Sequence, residues 1–129
     1  IDTAAGIGSS VLWFNRLSDH HIFVLSPDPT SMTDAYALLK LLSRDHGISR
    51  FNVVLNFVRC AREGSQTLET IRRVAERFLN LQLSHMGSIP EDRMVRQAVL
   101  DQSPFVEQAP GGKAARAVHA MADQVQWLI

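Results

Sequence analysis

The sequence predicts an α/β chain, a three-layer arrangement in which a parallel sheet carries helices on both faces. Three observations lead there. Short apolar runs at 21–26, 50–58 and 83–89 alternate with longer segments whose apolar residues recur at helical spacing. The run at 50–58 is apolar without strict alternation, as strands buried on both faces are. Polar and turn residues gather where these runs end.

The elements follow in order. "IDTAAGIG" reads as the end of a first strand at Asp2, followed by a short helix in "SSVLWFNRL" that lays Val11, Leu12 and Phe14 on the sheet. "HHIFVLS" is the next strand, bounded by Asp19 and Pro27, and His20 and His21 are expected in the surface turn before it. In "TSMTDAYALLKLLSRDHG", Met32, Ala35, Tyr36, Leu39 and Leu42 share one helix face. Thr30 or Ser31 is expected to cap that helix, Asp34 to sit in its first turn, and Gly47 to stop it.

The cycle repeats. "RFNVVLNFV" is a strand, and "SQTLETIRRVAERFLNL" a helix with Leu68, Ile71, Val74, Ala75 and Phe78 on its inner face. "LSHMGSI" is a weaker strand ended by Pro90. A short helix covers about 91–101 through Met94, Val95, Ala98 and Val99. "PFVEQAPGG" is a loop, and an amphipathic helix runs from about Lys113 to the end, presenting Val118, Met121, Ala122, Val125 and Leu128 to the core.

Composition narrows the function classes. The chain has 129 residues, 46% hydrophobic and 20% charged, which suits one globular domain burying roughly 70% of its unfolded surface. Formal net charge is zero, so no nucleic-acid partner is expected. One cysteine, Cys60, excludes an internal disulfide and suits a cytoplasmic protein. No signal peptide or membrane-spanning run is visible.

In parallel sheets, ligands bind beyond the carboxyl ends of the strands. Four such ends carry polar chemistry: Asp2, "SPDPTS", Asn56 and "IPED". The five histidines lie on different elements, and no Cys/His pair has zinc spacing.

These segments resemble a known family. "IDTAAGI" is similar to the Walker B and switch region of the MinD/ParA class of P-loop ATPases, and "SPDPTSMTDAYALLKLL" to the strand, loop and helix that follow it there. The stretch from "RFL" at 77–79 through "MGSIPEDRMVRQAVLDQSPFVEQAPGGKAARAVHAMA" resembles the C-terminal half of the flagellar-number regulators variously called FlhG, FleN or YlxH.

The resemblance implies a partial P-loop NTPase fold, with residues 1–129 as the C-terminal half of one ATPase domain. By that likeness Asp2 holds Mg²⁺ through a water, as a hard and reluctantly dehydrated cation prefers. Gly6 is the catalytic switch glycine beside the γ-phosphate of ATP. Asn56 reads the adenine edge with an amide that both donates and accepts. Pro90, Glu91 and Asp92 pack against the base, and Asp28 contacts the ribose. The implied partners are a second copy in a homodimer, the flagellar GTPase FlhF, and a flagellar switch or regulator protein. A peripheral contact at the inner face of the cell membrane is implied as well.

One family element is missing. The Gly-rich phosphate loop with its lysines does not occur, and "APGGKAA" cannot replace it. That segment has no upstream Gly at the required spacing, no Ser or Thr after Lys113, and no strand before it. By itself the chain is therefore expected to bind ATP weakly and not to hydrolyse it. A septum-placement or partition ATPase of the same superfamily, and a non-catalytic α/β interaction scaffold, remain alternatives. An apolar sheet edge beside the expected first strand is expected to drive self-association.

Overall fold

The computed structural model of the chain describes residues 2–3 and 6–125. Its elements are α1 (Ser9–Arg16), β1 (Ile22–Leu25), α2 (Pro29–His46), β2 (Arg50–Val58), α3 (Ala61–Leu79), β3 (Gln82–Pro90), α4 (Arg93–Leu100), α5 (Phe105–Gln108) and α6 (Lys113–Val125). The strands pair in parallel in the order β1-β2-β3. Each parallel connection is a helix, α2 and then α3, as the geometry of parallel pairing requires.

Side-chain parity along β2 divides the core into two layers. Phe51, Val53 and Leu55 point toward the larger cluster, with Phe23 and Leu25 of β1 and Leu83 of β3. Helices α2 and α3 cover that face through Ala35, Leu39, Leu42, Ile71 and Ala75, and Leu12 of α1 packs at its margin. Val54 points the other way and meets Met86 of β3 and Met121 of α6. The expected arrangement, a parallel sheet with helices on both faces, is what folds.

Helix α6 approaches β3 closely because Gly87 has no side chain. A Cβ there would lie 2.6 Å from the Met121 sulfur. Val118 and Val125 complete the inner face of α6, whereas Ala122 is exposed, contrary to expectation, and Leu128 lies outside the described residues.

Several expectations shift. Asp2 and Thr3 carry no regular structure and Ile1 is outside the described residues, so the strand expected to end at Asp2 is not among those described. Helix α2 starts at Pro29, whose fixed φ suits the first helical position, and its cap is Asp28 rather than Thr30 or Ser31. Asp34 therefore falls beyond the first turn. Gly47 ends the helix in the left-handed region, as expected. Helix α3 begins at Ala61, a turn earlier than its apolar period indicates. Phe78 is exposed, with the Arg77 guanidinium over its ring, and Leu79 packs against the core instead.

Helix α4 buries only Ala98 fully; Met94 and Val99 are exposed. The 104–112 segment contains the one-turn helix α5 rather than loop alone. His21 is buried against Phe51, with its ring Nε2 donating to the Asn15 carbonyl at 2.7 Å, while His20 stays exposed. A surface turn is thus wrong for His21 and right for His20. Among the described residues no helix is long and apolar enough to cross a membrane.

Candidate functional site

The carboxyl ends of the three strands lie at one edge of the sheet, where Leu25 pairs with Leu55 and Val58 with Pro90. Each end is followed by a polar turn with its own hydrogen-bond logic.

After β1, Asp28 caps α2, its Oδ1 accepting from the Ser31 backbone N–H at 2.8 Å. The Ser26 hydroxyl donates to the other carboxylate oxygen, and the Ser31 hydroxyl accepts from the Ser26 N–H at 3.0 Å. The Ser26 hydroxyl, and after it the Ser31 N–H, hold the Asp28 carboxyl below the usual carboxylate range.

After β2, the Asn56 carboxamide oxygen accepts the N–H of Phe57 at 2.9 Å. That oxygen keeps a second lone pair, and no hydrogen bond from the Asn56 amide NH₂ occurs among the described residues. Arg59 turns away to Glu63, donating through its backbone N–H and its Nε, each at 2.8 Å. The guanidinium bonded to it holds the Glu63 carboxyl below its usual range. Arg59 thus closes the turn into α3.

After β3, the Glu91 N–H donates to the Val58 carbonyl at 3.0 Å, which ties this loop to the end of β2. Asp92 caps α4 through the Met94 N–H at 2.9 Å and reaches the Ala114 N–H of α6 at 3.1 Å. Those two donors, Met94 before Ala114, hold the Asp92 carboxyl below its usual range.

The expected site residues fall into two cavities. One, of about 740 Å³, is lined by Asn56, Pro90, Glu91 and Asp92 together with Phe57, Val95 and Phe105. The other, of about 540 Å³, is lined by Asp2, Gly6 and Asp28 together with Asn15 and Asp34. Gly6 has φ +99°, a conformation that side-chain-bearing residues rarely adopt. Asn56 and the Pro90–Asp92 loop are brought together, and so are Asp2, Gly6 and Asp28. The first group lies at the carboxyl edge of the sheet, whereas the second lies along the open side of β1, where Ile22, Phe23 and Val24 line the same cavity.

Metal fit can be judged on the donor set. Among the described residues no group of three or more His, Cys, Asp or Glu side chains could hold an ion directly. Mg²⁺ keeps most of its waters and uses one or two carboxylates, so the exposed Asp2 fits a water-mediated role. The carboxylates of Asp28 and Asp92 are already engaged as caps.

Phe57, Val95, Val99 and Phe105 line the larger cavity and are not foreseen as site residues from the sequence. Phe57 carries no signal in its own strand, because its place is set by the register of β2 against β3. For Val99 and Phe105 no local signal exists, since they read as core and loop.

No family model matches the chain. It is 45% identical over 125 residues to the antiactivator FleN of Pseudomonas aeruginosa, covering 97% of this chain and 45% of that protein. It is 29% identical over 123 residues to the flagellum site-determining protein YlxH of Helicobacter pylori, covering 95% of this chain and 41% of that protein. An uncharacterised ATP-binding protein of Methanocaldococcus jannaschii is 30% identical over 124 residues, 95% of this chain and 43% of its own length. The chain thus spans less than half the length of each relative. In three dimensions it resembles the cell division ATPase MinD of Pyrococcus furiosus with a TM-score of 0.72 at 20% identity, over 100% of this chain and 51% of that one. The chain is a close homologue of the FleN and YlxH proteins over the stretch it shares with them, and its fold is that of MinD.

Proposed function

We propose that residues 1–129 form the C-terminal half of a MinD-like ATPase domain in a regulator of flagellar number and placement. The observation that carries this is the 45% identity to the antiactivator FleN along nearly the whole chain. The cavity at the carboxyl edge of the sheet, lined by Asn56 and the Pro90–Asp92 loop, supports it.

In this reading Asn56 reads the adenine edge, with its amide N–H donating to N7 and its oxygen accepting from N6. Pro90 and Glu91 flank the base. Asp92 holds their loop in place by capping α4 and α6. Asp2 orients a water of the Mg²⁺ shell, Gly6 leaves room for the γ-phosphate, and Asp28 stands at the ribose. Mg²⁺, when bound with ATP, neutralises phosphate charge. The phosphates themselves need a glycine- and lysine-rich loop that residues 1–129 do not contain, so these residues alone do not hydrolyse ATP. ATP-dependent homodimerisation, contact with FlhF and a flagellar switch or regulator protein, and a peripheral association with the cytoplasmic face of the membrane complete the reading.

The test is calorimetric titration of the full-length gene product with ATP and Mg²⁺. Binding that Asn56→Ala weakens is expected. In cells, deletion of the gene is expected to alter the flagellar count, and Asp2→Ala to do the same. A full-length protein that does not bind ATP would overturn the proposal.

A further inference from the structure

The end of β2 is built around an anomaly. Phe51, Val53 and Leu55 face the main core, so simple alternation would put residue 57 there next. Instead Val58 fills that core position at 5% exposure, and Phe57 is 62% exposed. The cause is a bulge. Leu55 pairs with Ser88 and Val58 with Pro90, so three residue steps on β2 match two on β3.

The bulge puts Phe57 at φ 57°, a left-handed conformation uncommon for a residue with a large side chain. Its N–H has left the ladder and is satisfied by the Asn56 carboxamide. Folding gains little from this arrangement. An aromatic ring that could be buried is held in water by a backbone that an aromatic residue disfavours. Such features persist where function uses them. The ring lines the same cavity as Asn56 and Pro90.

We propose that Phe57 is a stacking platform that fixes a purine base against the hydrogen-bonding edge of Asn56. This rests on the nucleotide reading of the site given above and adds the residue that supplies the π-face. The two roles are coupled through one hydrogen bond. The Asn56 oxygen that positions Phe57 also sets the direction in which the Asn56 amide donates. An aromatic face accepts any base, whereas the carboxamide selects among them.

The experiment measures ATP affinity by calorimetry on the full-length protein and on F57W, F57L and F57N, with N56A as a marker of the site. F57W keeps a π-face and is expected to bind close to wild type. F57L keeps the bulk without the face and is expected to bind about tenfold more weakly. F57N is expected to lose affinity as well, yet not thermal stability, because asparagine tolerates positive φ. Affinity unchanged in F57L, with N56A weakened, would overturn the stacking role and leave the site intact. An F57N protein that loses stability along with affinity would make Phe57 a structural residue and overturn the proposal too. A wild-type protein that binds no ATP would remove the nucleotide reading, and this inference with it.

Discussion

The Asp92 carboxylate accepts the backbone N–H of Ala114 at 3.1 Å across 22 positions of sequence, while its other oxygen accepts that of Met94 at 2.9 Å. One side chain therefore serves the first turns of two helices, α4 and α6. The loop that ends β3 is pinned to the helix covering the far face of the sheet. Gly112 permits this, since a Cβ there would sit 3.1 Å from the Asp92 oxygen and 3.0 Å from the Ala109 carbonyl.

Asp92 should therefore set an acid limit on stability. Its pKa is depressed in the folded chain by the two N–H donors. The unfolded state takes up the proton first, so the contribution is complete above the unfolded value of about 3.9. It is lost as pH falls from there through the folded value. The Asp92→Asn substitution keeps one acceptor oxygen for two donors, and Asp92→Ala keeps none. Thermal midpoints at neutral pH should rank wild type above D92N above D92A, the last lower by roughly 5 °C. Calorimetric scans should also show D92N with a shallower loss of stability in acid.

Gly87 offers a sharper packing test. A methyl group there meets the Met121 sulfur and Cγ at 2.6 and 2.7 Å. Gly87→Ala should cost about 1–3 kcal/mol in urea denaturation, because α6 must shift or Met121 must leave its rotamer. Met121→Ala removes the obstacle. In that background the Gly87 substitution should cost clearly less, and the double-mutant cycle should return a coupling of opposite sign to the single effects. Equal costs in both backgrounds would show that Met121 is not what Gly87 accommodates.

Much of the fold is legible in sequence because period and length agree. The strand at 50–58 has the extent expected of it, and Ala35, Leu39 and Leu42 bury the helix face that their spacing defines. What escapes is set by tertiary geometry. Val99 and Phe78 satisfy a helical period, yet both stay exposed, so period alone misplaces them in the core. The capping of α2 by Asp28 follows from Pro29, a local rule whose consequence is one or two residues of register. At the site, Asn56 and the Pro90–Asp92 loop are foreseen as neighbours and share a cavity. Phe57 escapes because a bulge is a property of two strands in register, and a single strand's pattern does not contain it.

The remaining expectation concerns the sheet edge. Strand β1 pairs only with β2 among the described residues, and Ile22 and Val24 are 44% and 62% exposed on the face opposite Phe23 and Leu25. Among the described residues, helix α6, the cover for that face, packs chiefly on β3. A strand with an open ladder and apolar side chains is a template for another strand. The 129-residue chain prepared alone should therefore self-associate with rising concentration in sedimentation equilibrium. Val24→Lys places a charge on that edge without touching the buried side of β1, so it should shift the equilibrium toward monomer and leave the thermal midpoint nearly unchanged. A wild-type chain that stays monomeric at the highest accessible concentration would show that this edge does not act as a template.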